Sequence, residues 1–314
     1  MRLYDLIEPY TTIAIVGMCK NAGKTTVLNA MLDELKLHGV RVALTSVGRD
    51  GERVDLVTQT PKPQIFVEAG TLVATAEGLL KKCDCSREIC DATNISTPLG
   101  RVIVFRALNG GFVEIAGPSM TEDIPQLTSV LLRLGAQKVL VDGAIFRKSS
   151  ARYGVCEAAA LCVGASCSND LDTIVRDAAH AARLLSLPEV DNQPALEIRG
   201  ALGDFVAAHK DDDCFYIGGA LTDAMLNPLI RSAAARPLTL VIFDGSRALI
   251  SIETLQMMDR LNISLKVRRR SRLLFVASNP YSAGGTHQNA KELLRRLQDS
   301  LEVPVIDVKE GAWN

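Results

Sequence analysis

The residues best suited to do chemistry lie together in the stretch 13–28, IAIVGMCKNAGKTTVL. Gly23-Lys24-Thr25 is the core of a phosphate-binding loop, and Gly17, Asn21, Ala22 and Thr26 complete it. In such a loop, backbone N–H groups and a helix N-terminus wrap a polyphosphate. A lysine in the place of Lys24 sets a positive charge against the β- and γ-phosphates, and a hydroxyl in the place of Thr25 ligates Mg2+. Lys24 is thus assigned a catalytic as well as a binding role. The spacing departs from the common G-x4-G-K-[ST] pattern. That pattern would put its first glycine at Met18; the glycine stands one residue earlier, at Gly17, giving G-x5-G-K-T. Lys20 does not stand where a second loop lysine would fall, since that position is Cys19.

A Mg2+-nucleotide site also needs a carboxylate. Residues 138–144, KVLVDGA, run from an apolar strand into Asp142 and then glycine. Asp142 is the acid expected to hold Mg2+ directly or through a bound water. A second acidic stretch, 45–55, TSVGRDGERVD, follows a strand, where ligands sit in open α/β sheets. Asp50, ahead of Glu52 and Asp55, is the acid there expected to help hold Mg2+ or polarise a water. A solvated acidic loop is the alternative for all three. Arg147 and Lys148 either reach phosphate or lie in solvent.

These side chains need a frame that holds them at one edge. Ile13–Val16 reads as a buried parallel strand, and the following helix runs through Leu28 to Leu37, with Gly39 ending it. Val40–Thr45, Ile65–Val67, Lys138–Val141 and Ala158–Val163 read as further strands. Thr71–Lys82 has helical spacing through Leu72, Ala76, Leu79 and Leu80, and Asp123–Leu134 through Ile124, Leu127, Leu131 and Leu134. Arg101–Leu108 and Phe112–Ile115 read as two strands of a hairpin turning at Asn109-Gly110-Gly111. Small residues and acids then lead into a helix ending at Leu185, with Ser168 or Asn169 as its cap. A boundary is expected near residue 190, giving a first domain over 1–190. Residues 191–314 are then a second small α/β domain or an extension of the first sheet, with strands at Cys214–Ile217, Leu238–Phe243, Leu273–Ala277 and Val303–Ile306. Asn279-Pro280 reads as a loop at the ligand-facing edge. The expected fold is therefore α/β, a mostly parallel sheet with helices on both faces and an inserted hairpin.

Composition bounds the partners. The chain has 314 residues, 47% hydrophobic and 23% charged, with a net charge of −1. That balance gives no electrostatic reason to expect nucleic acid or an anionic membrane. The run Arg268-Arg-Arg-Ser-Arg272 is short and has no aromatic neighbours, so it reads as a solvated connection. No apolar segment reaches the roughly 18 residues of a membrane span, and no signal-peptide core opens the chain, so a cytoplasmic location is expected. The eight cysteines are then expected to be free thiols.

The loop resembles that of dethiobiotin synthetase and other MinD-like P-loop proteins over roughly residues 11–185. A narrower likeness spans more of the chain. GMCKNAGKTTVLNAML, TSVGRDGE, TLVATAE, TPLGRVIVFRALNGGFVEIAGP and VLVDGAIFRKSSA occur in order, followed by GALTD, VASNP and PVIDV. This set resembles the KamB-type ATPase subunit of the lysine 5,6-aminomutase reactivase. The resemblance implies ATP and Mg2+ as cofactors, Gly23, Lys24 and Thr25 as nucleotide site and Asp142 as the Mg2+-side acid. It also implies a MutS-like partner subunit and an adenosylcobalamin-dependent aminomutase as client. A homodimer is one option for the chain itself. The other reading is an ATP-dependent ligase or kinase of a small carboxylate, with Arg49, Lys148 and Ser166 able to line its pocket. A nucleotide-binding scaffold without turnover is a third.

Overall fold

The computed structural model describes residues 2–48, 64–145, 156–191, 195–232, 236–282, 285, 287–308 and 312–313. Two compact units are present: residues 1–182 with 273–314, and residues 183–272.

The first unit opens with α1 (Leu3–Ile7), β1 (Thr12–Gly17), α2 (Lys24–Leu37) and β2 (Val42–Ser46). There follow β3 (Ile65–Val67), β4 (Leu72–Ala76), a 3-10 helix (Glu77–Lys82), β5 (Arg87–Thr97), β6 (Gly100–Ala107) and β7 (Gly111–Val113). Next come α3 (Ile124–Arg133), β8 (Lys138–Ile145), β9 (Ala158–Gly164) and α4 (Leu171–Leu185). The second unit carries β10 (Leu196–Glu197), α5 (Leu202–Ala208), β11 (Cys214–Tyr216), β12 (Leu221–Thr222), α6 (Asp223–Ile230), β13 (Leu238–Ile242), β14 (Ala248–Leu249), α7 (Ile252–Arg260) and β15 (Ile263–Val267). The chain then returns to the first unit with β16 (Arg272–Asn279), α8 (Ala290–Ser300), β17 (Val305–Asp307) and β18 (Ala312–Trp313).

The first unit is built on a ten-stranded sheet in the order β18-β17-β16-β9-β1-β8-β2-β4-β6-β5. Strand β1 lies inside it, parallel to β8 on one side and β9 on the other. Every residue of β1, β2 and β9 is buried. That is why these strands read as unbroken apolar runs: parallel strands covered on both faces have no solvent side to mark with polar residues. One face packs Ile13 and Ile15 with Val27, Leu28, Met31 and Leu35 of α2. The other packs Val139 and Val141 of β8 with Ile124, Leu127 and Leu131 of α3. An α/β fold with a mostly parallel sheet is what the sequence predicts.

Three expectations are corrected. Thr71–Lys82 is not one helix. Leu72 to Ala76 are all buried in a strand between β2 and β6, and only the 3-10 turn behind it is helical. The apolar run fits both periods, and burial on both sides with β-branched Val73 and Thr75 favours the strand. The hairpin turning at Asn109-Gly110-Gly111 is also absent. β6 pairs antiparallel with β5 through a Pro98-Leu99 turn, in which Gly100 has φ +99°. β7 instead pairs with β3. The Asn109 side chain accepts the Ser86 N–H at 2.7 Å, which directs the chain away from β6. Finally, the cap of α4 is neither Ser168 nor Asn169. Asp170 accepts the Thr173 N–H at 2.9 Å and its hydroxyl at 2.6 Å.

The last third of the chain divides between both options left open by the sequence. β16 and β17 join the first sheet, parallel to each other, while β10, β11, β13 and β15 form a separate four-stranded parallel sheet. The first unit is therefore discontinuous in sequence, which a single boundary near residue 190 does not describe.

Candidate functional site

The loop between β1 and α2 begins at Gly17 and ends at Gly23, where α2 starts with Lys24. Two residues adopt left-handed backbone, Asn21 with φ +61° and Gly23 with φ +102°. Asparagine and glycine are the residues that tolerate this geometry at least cost. Such turns point successive N–H groups inward, the arrangement that makes an anion-binding concavity. The Lys24 side chain folds back over the start of the loop. A β-carbon built on Gly17 would lie 3.2 Å from its Cγ and Cδ and 3.1 Å from the Cys19 carbonyl oxygen. Gly17, displaced by one residue from the usual spacing, is thus where the lysine crosses the backbone. Thr25 and Thr26 lie half-buried in the first turn of α2.

Asp142 lies on β8, beside Ile15 of β1 and Ser46 of β2, and is 7% exposed. The strand does not stop there. A bulge skips Gly143, whose φ is +103°, and pairing with β1 resumes at Ala144 and Ile145. Bulges re-aim the side chains beside them. Lys24 and Asp142 each act electrostatically on the buried Cys162 thiol. Burial is the main cause of the raised pKa of Cys162; the Lys24 ammonium opposes it and the Asp142 carboxylate adds to it. Asp50, with Arg49, Glu52, Asp55, Arg147 and Lys148, lies outside the described residues.

Asn279, at the end of β16, ties the loop to the neighbouring strands. Its Nδ2 donates to the Asn21 carbonyl at 3.4 Å, across 258 residues of sequence. Its side chain lies 3.2 Å from where a β-carbon on Gly23 would sit. Its own carbonyl accepts the Ala165 N–H at 2.9 Å. The close approach requires Gly164, where a β-carbon would fall 2.0 Å from that oxygen. A small crevice opens beside Asn279, lined by Gly23, Thr26, Ser278, Pro280, Asp307 and Val308 among others. Sequence spacing had placed Asn279-Pro280 at the ligand-facing edge; it carries no signal for the contact with Asn21, Ser278 or Asp307. The hydroxyl oxygens of Ser166 and Ser278 are buried with no hydrogen-bond partner among the described residues.

The cysteines depart from the expectation of free thiols. Cys19, inside the loop, is disulfide-bonded to Cys167, with Cα atoms 5.4 Å apart and 148 residues between them. Cys83, Cys85, Cys90, Cys156, Cys162 and Cys214 are free. Cys83 and Cys85 belong to the core beneath β3 and β7.

These residues suit a polyphosphate with a divalent cation. Left-handed positions, a helix start and a lysine folded over glycine would take the phosphates; Thr25 and Asp142 would take Mg2+. Among the described residues, no helix is long and apolar enough to cross a membrane. No protein-family model matches the chain, and no curated protein does.

Proposed function

We propose that the first unit binds Mg2+-ATP at the loop 17–26 and hydrolyses it. The observation that carries this reading is the packing of Lys24 across Gly17 at the start of α2. That packing folds the lysine side chain back over a loop that ends at a helix N-terminus, a combination that favours a concentrated negative charge. In this reading Lys24 holds the β- and γ-phosphates, Thr25 and Asp142 hold Mg2+, and the nucleoside lies along the crevice beside Asn279. The bulge after Asp142 re-aims the side chains at that strand end. No guanine-specificity motif of N/TKxD type is present, so ATP is preferred over GTP.

The product of turnover in this proposal is a conformational change. Contacts to a γ-phosphate order loops in nucleotide switches, and their loss releases them. By its resemblance to the lysine 5,6-aminomutase reactivase, the chain would act with a MutS-like subunit to free an inactive corrinoid from an aminomutase. The test is ATP hydrolysis by the full chain in three settings: alone, with a MutS-like subunit and an inactivated adenosylcobalamin-dependent aminomutase, and with a panel of small carboxylic acids. Stimulation by the proteins and recovery of mutase activity is the expected result. Turnover that instead requires one small acid would replace this reading with that of a ligase or kinase.

A further inference from the structure

The phosphate loop is covalently tied to a second loop. Cys19, two residues past Gly17, is bonded to Cys167, three residues past the end of β9. The loop has other anchors among the described residues, and Ala22 is buried in the core. Met18 donates its N–H to the Cys162 carbonyl at 3.0 Å, and the Asn21 carbonyl accepts the longer 3.4 Å bond from Asn279. Between those points the disulfide adds a covalent tie to the backbone. It does so in the conformation already described, with Lys24 over Gly17 and left-handed Asn21 and Gly23.

Both bonded cysteines are partly exposed. The nearest free thiol on β9, Cys162, is fully buried. Burial also raises its pKa, which keeps it protonated and unreactive in exchange. The pair can therefore open and close without drawing in that neighbour.

We propose that Cys19–Cys167 is a reversible thiol–disulfide site that presets the phosphate loop, so that its reduction weakens nucleotide binding. The inference rests on the reading of the loop as a nucleotide site. The co-reactant is a dithiol, of protein or small-molecule origin. One of its thiolates attacks a protein sulfur, the Cys19–Cys167 bond breaks, and the other cysteine leaves as a thiolate and takes a proton. The second thiol of the dithiol then attacks the mixed disulfide. Two protein thiols and one oxidised dithiol result, with two electrons passed to the protein. Oxidation is the same exchange in reverse. A loop that visits its binding shape only part of the time binds more weakly by that fraction. A reduced loop in register about 10–30% of the time would lose roughly three- to tenfold in affinity.

The test is calorimetric titration of the full chain with Mg2+ and adenylyl imidodiphosphate. It is run on oxidised protein, on protein reduced with dithiothreitol and then freed of it, and on reduced protein reoxidised with glutathione disulfide. Peptide mapping after differential alkylation reports the state of Cys19 and Cys167 in each sample. The expected result is a dissociation constant about three- to tenfold higher after reduction and restored by reoxidation. The double variant Cys19→Ser, Cys167→Ser is expected to show the weaker constant under all three treatments. Equal affinity in the two states, tighter binding on reduction, or no Cys19–Cys167 linkage after glutathione disulfide overturns the proposal alone. Absence of binding in every state overturns the nucleotide reading and the switch with it.

Discussion

Gly164 shows how much of this site depends on what a side chain would prevent. With only hydrogen there, the Asn279 carbonyl comes close enough to accept from Ala165, and Asn279 can reach the loop 17–26. Gly164→Ala forces backbone against backbone, and overpacking of that kind costs about 1–3 kcal/mol. The expected outcome is a lower unfolding midpoint in denaturant together with weaker nucleotide binding. Unchanged midpoint and affinity would show that Asn279 does not need this approach. Asp170 gives a separate test through pH. Hydrogen bonds from the hydroxyl and the N–H of Thr173 hold its carboxyl below its ordinary range. The folded protein therefore binds that proton less readily than the unfolded chain. The stabilisation is full above the unfolded value, about 3.9, and fades as pH falls through the folded one. Thermal midpoints of wild type and Asp170→Asn should converge as the pH is taken from 6 towards 3. A gap that stays constant would contradict the assignment. Gly17, Lys24 and Asp142 were nominated by the sequence as site residues, the first two by loop spacing and the third as an acid late in an apolar strand. Asn279 and Cys167 were not, because their partners lie 258 and 148 residues away and nothing local marks the pairing.

Helix α2 converts the loop into a fixed feature of the sheet. Val27, Leu28, Met31 and Leu35 are buried along one face and meet Ile13 and Ile15 of β1. Leu28, fully buried, anchors the turn directly behind the loop. Leu28→Ala removes that packing and should cost about 2–5 kcal/mol, the usual price of such a cavity, read by chemical denaturation. A change below about 0.5 kcal/mol would mean that the helix is held elsewhere. Strand β1 and helix α2 were readable because their apolar residues fit one period and Gly39 closes the helix in left-handed backbone, φ +67°. Strand β4 was not, since a fully buried strand has no alternation and its residues also fit helical spacing. The misplaced hairpin has a similar cause. Asn109-Gly110-Gly111 is good turn chemistry, yet the side chain of Asn109 is used on Ser86, and β7 is matched to β3.

The chain as a whole builds its first unit from two separated segments. The sheet that carries β1 also takes β16 and β17, and Asn279 arrives at the loop only because residues 273–314 return to it. Local pattern identifies those strands as apolar and β-branched, but it does not say which sheet they join. The α/β class was therefore readable from the order of elements, and the discontinuity was not. The proposed polyphosphate site is the loop 17–26, with its charge supplied by Lys24. The most direct test is equilibrium titration of the full chain, oxidised, with Mg2+ and adenylyl imidodiphosphate, comparing wild type with Lys24→Ala. Saturable binding by the wild type and a loss of tenfold or more in the variant, about 1.4 kcal/mol or above, is the expected result. Equal affinity in the two proteins, or no binding by the wild type, would contradict it.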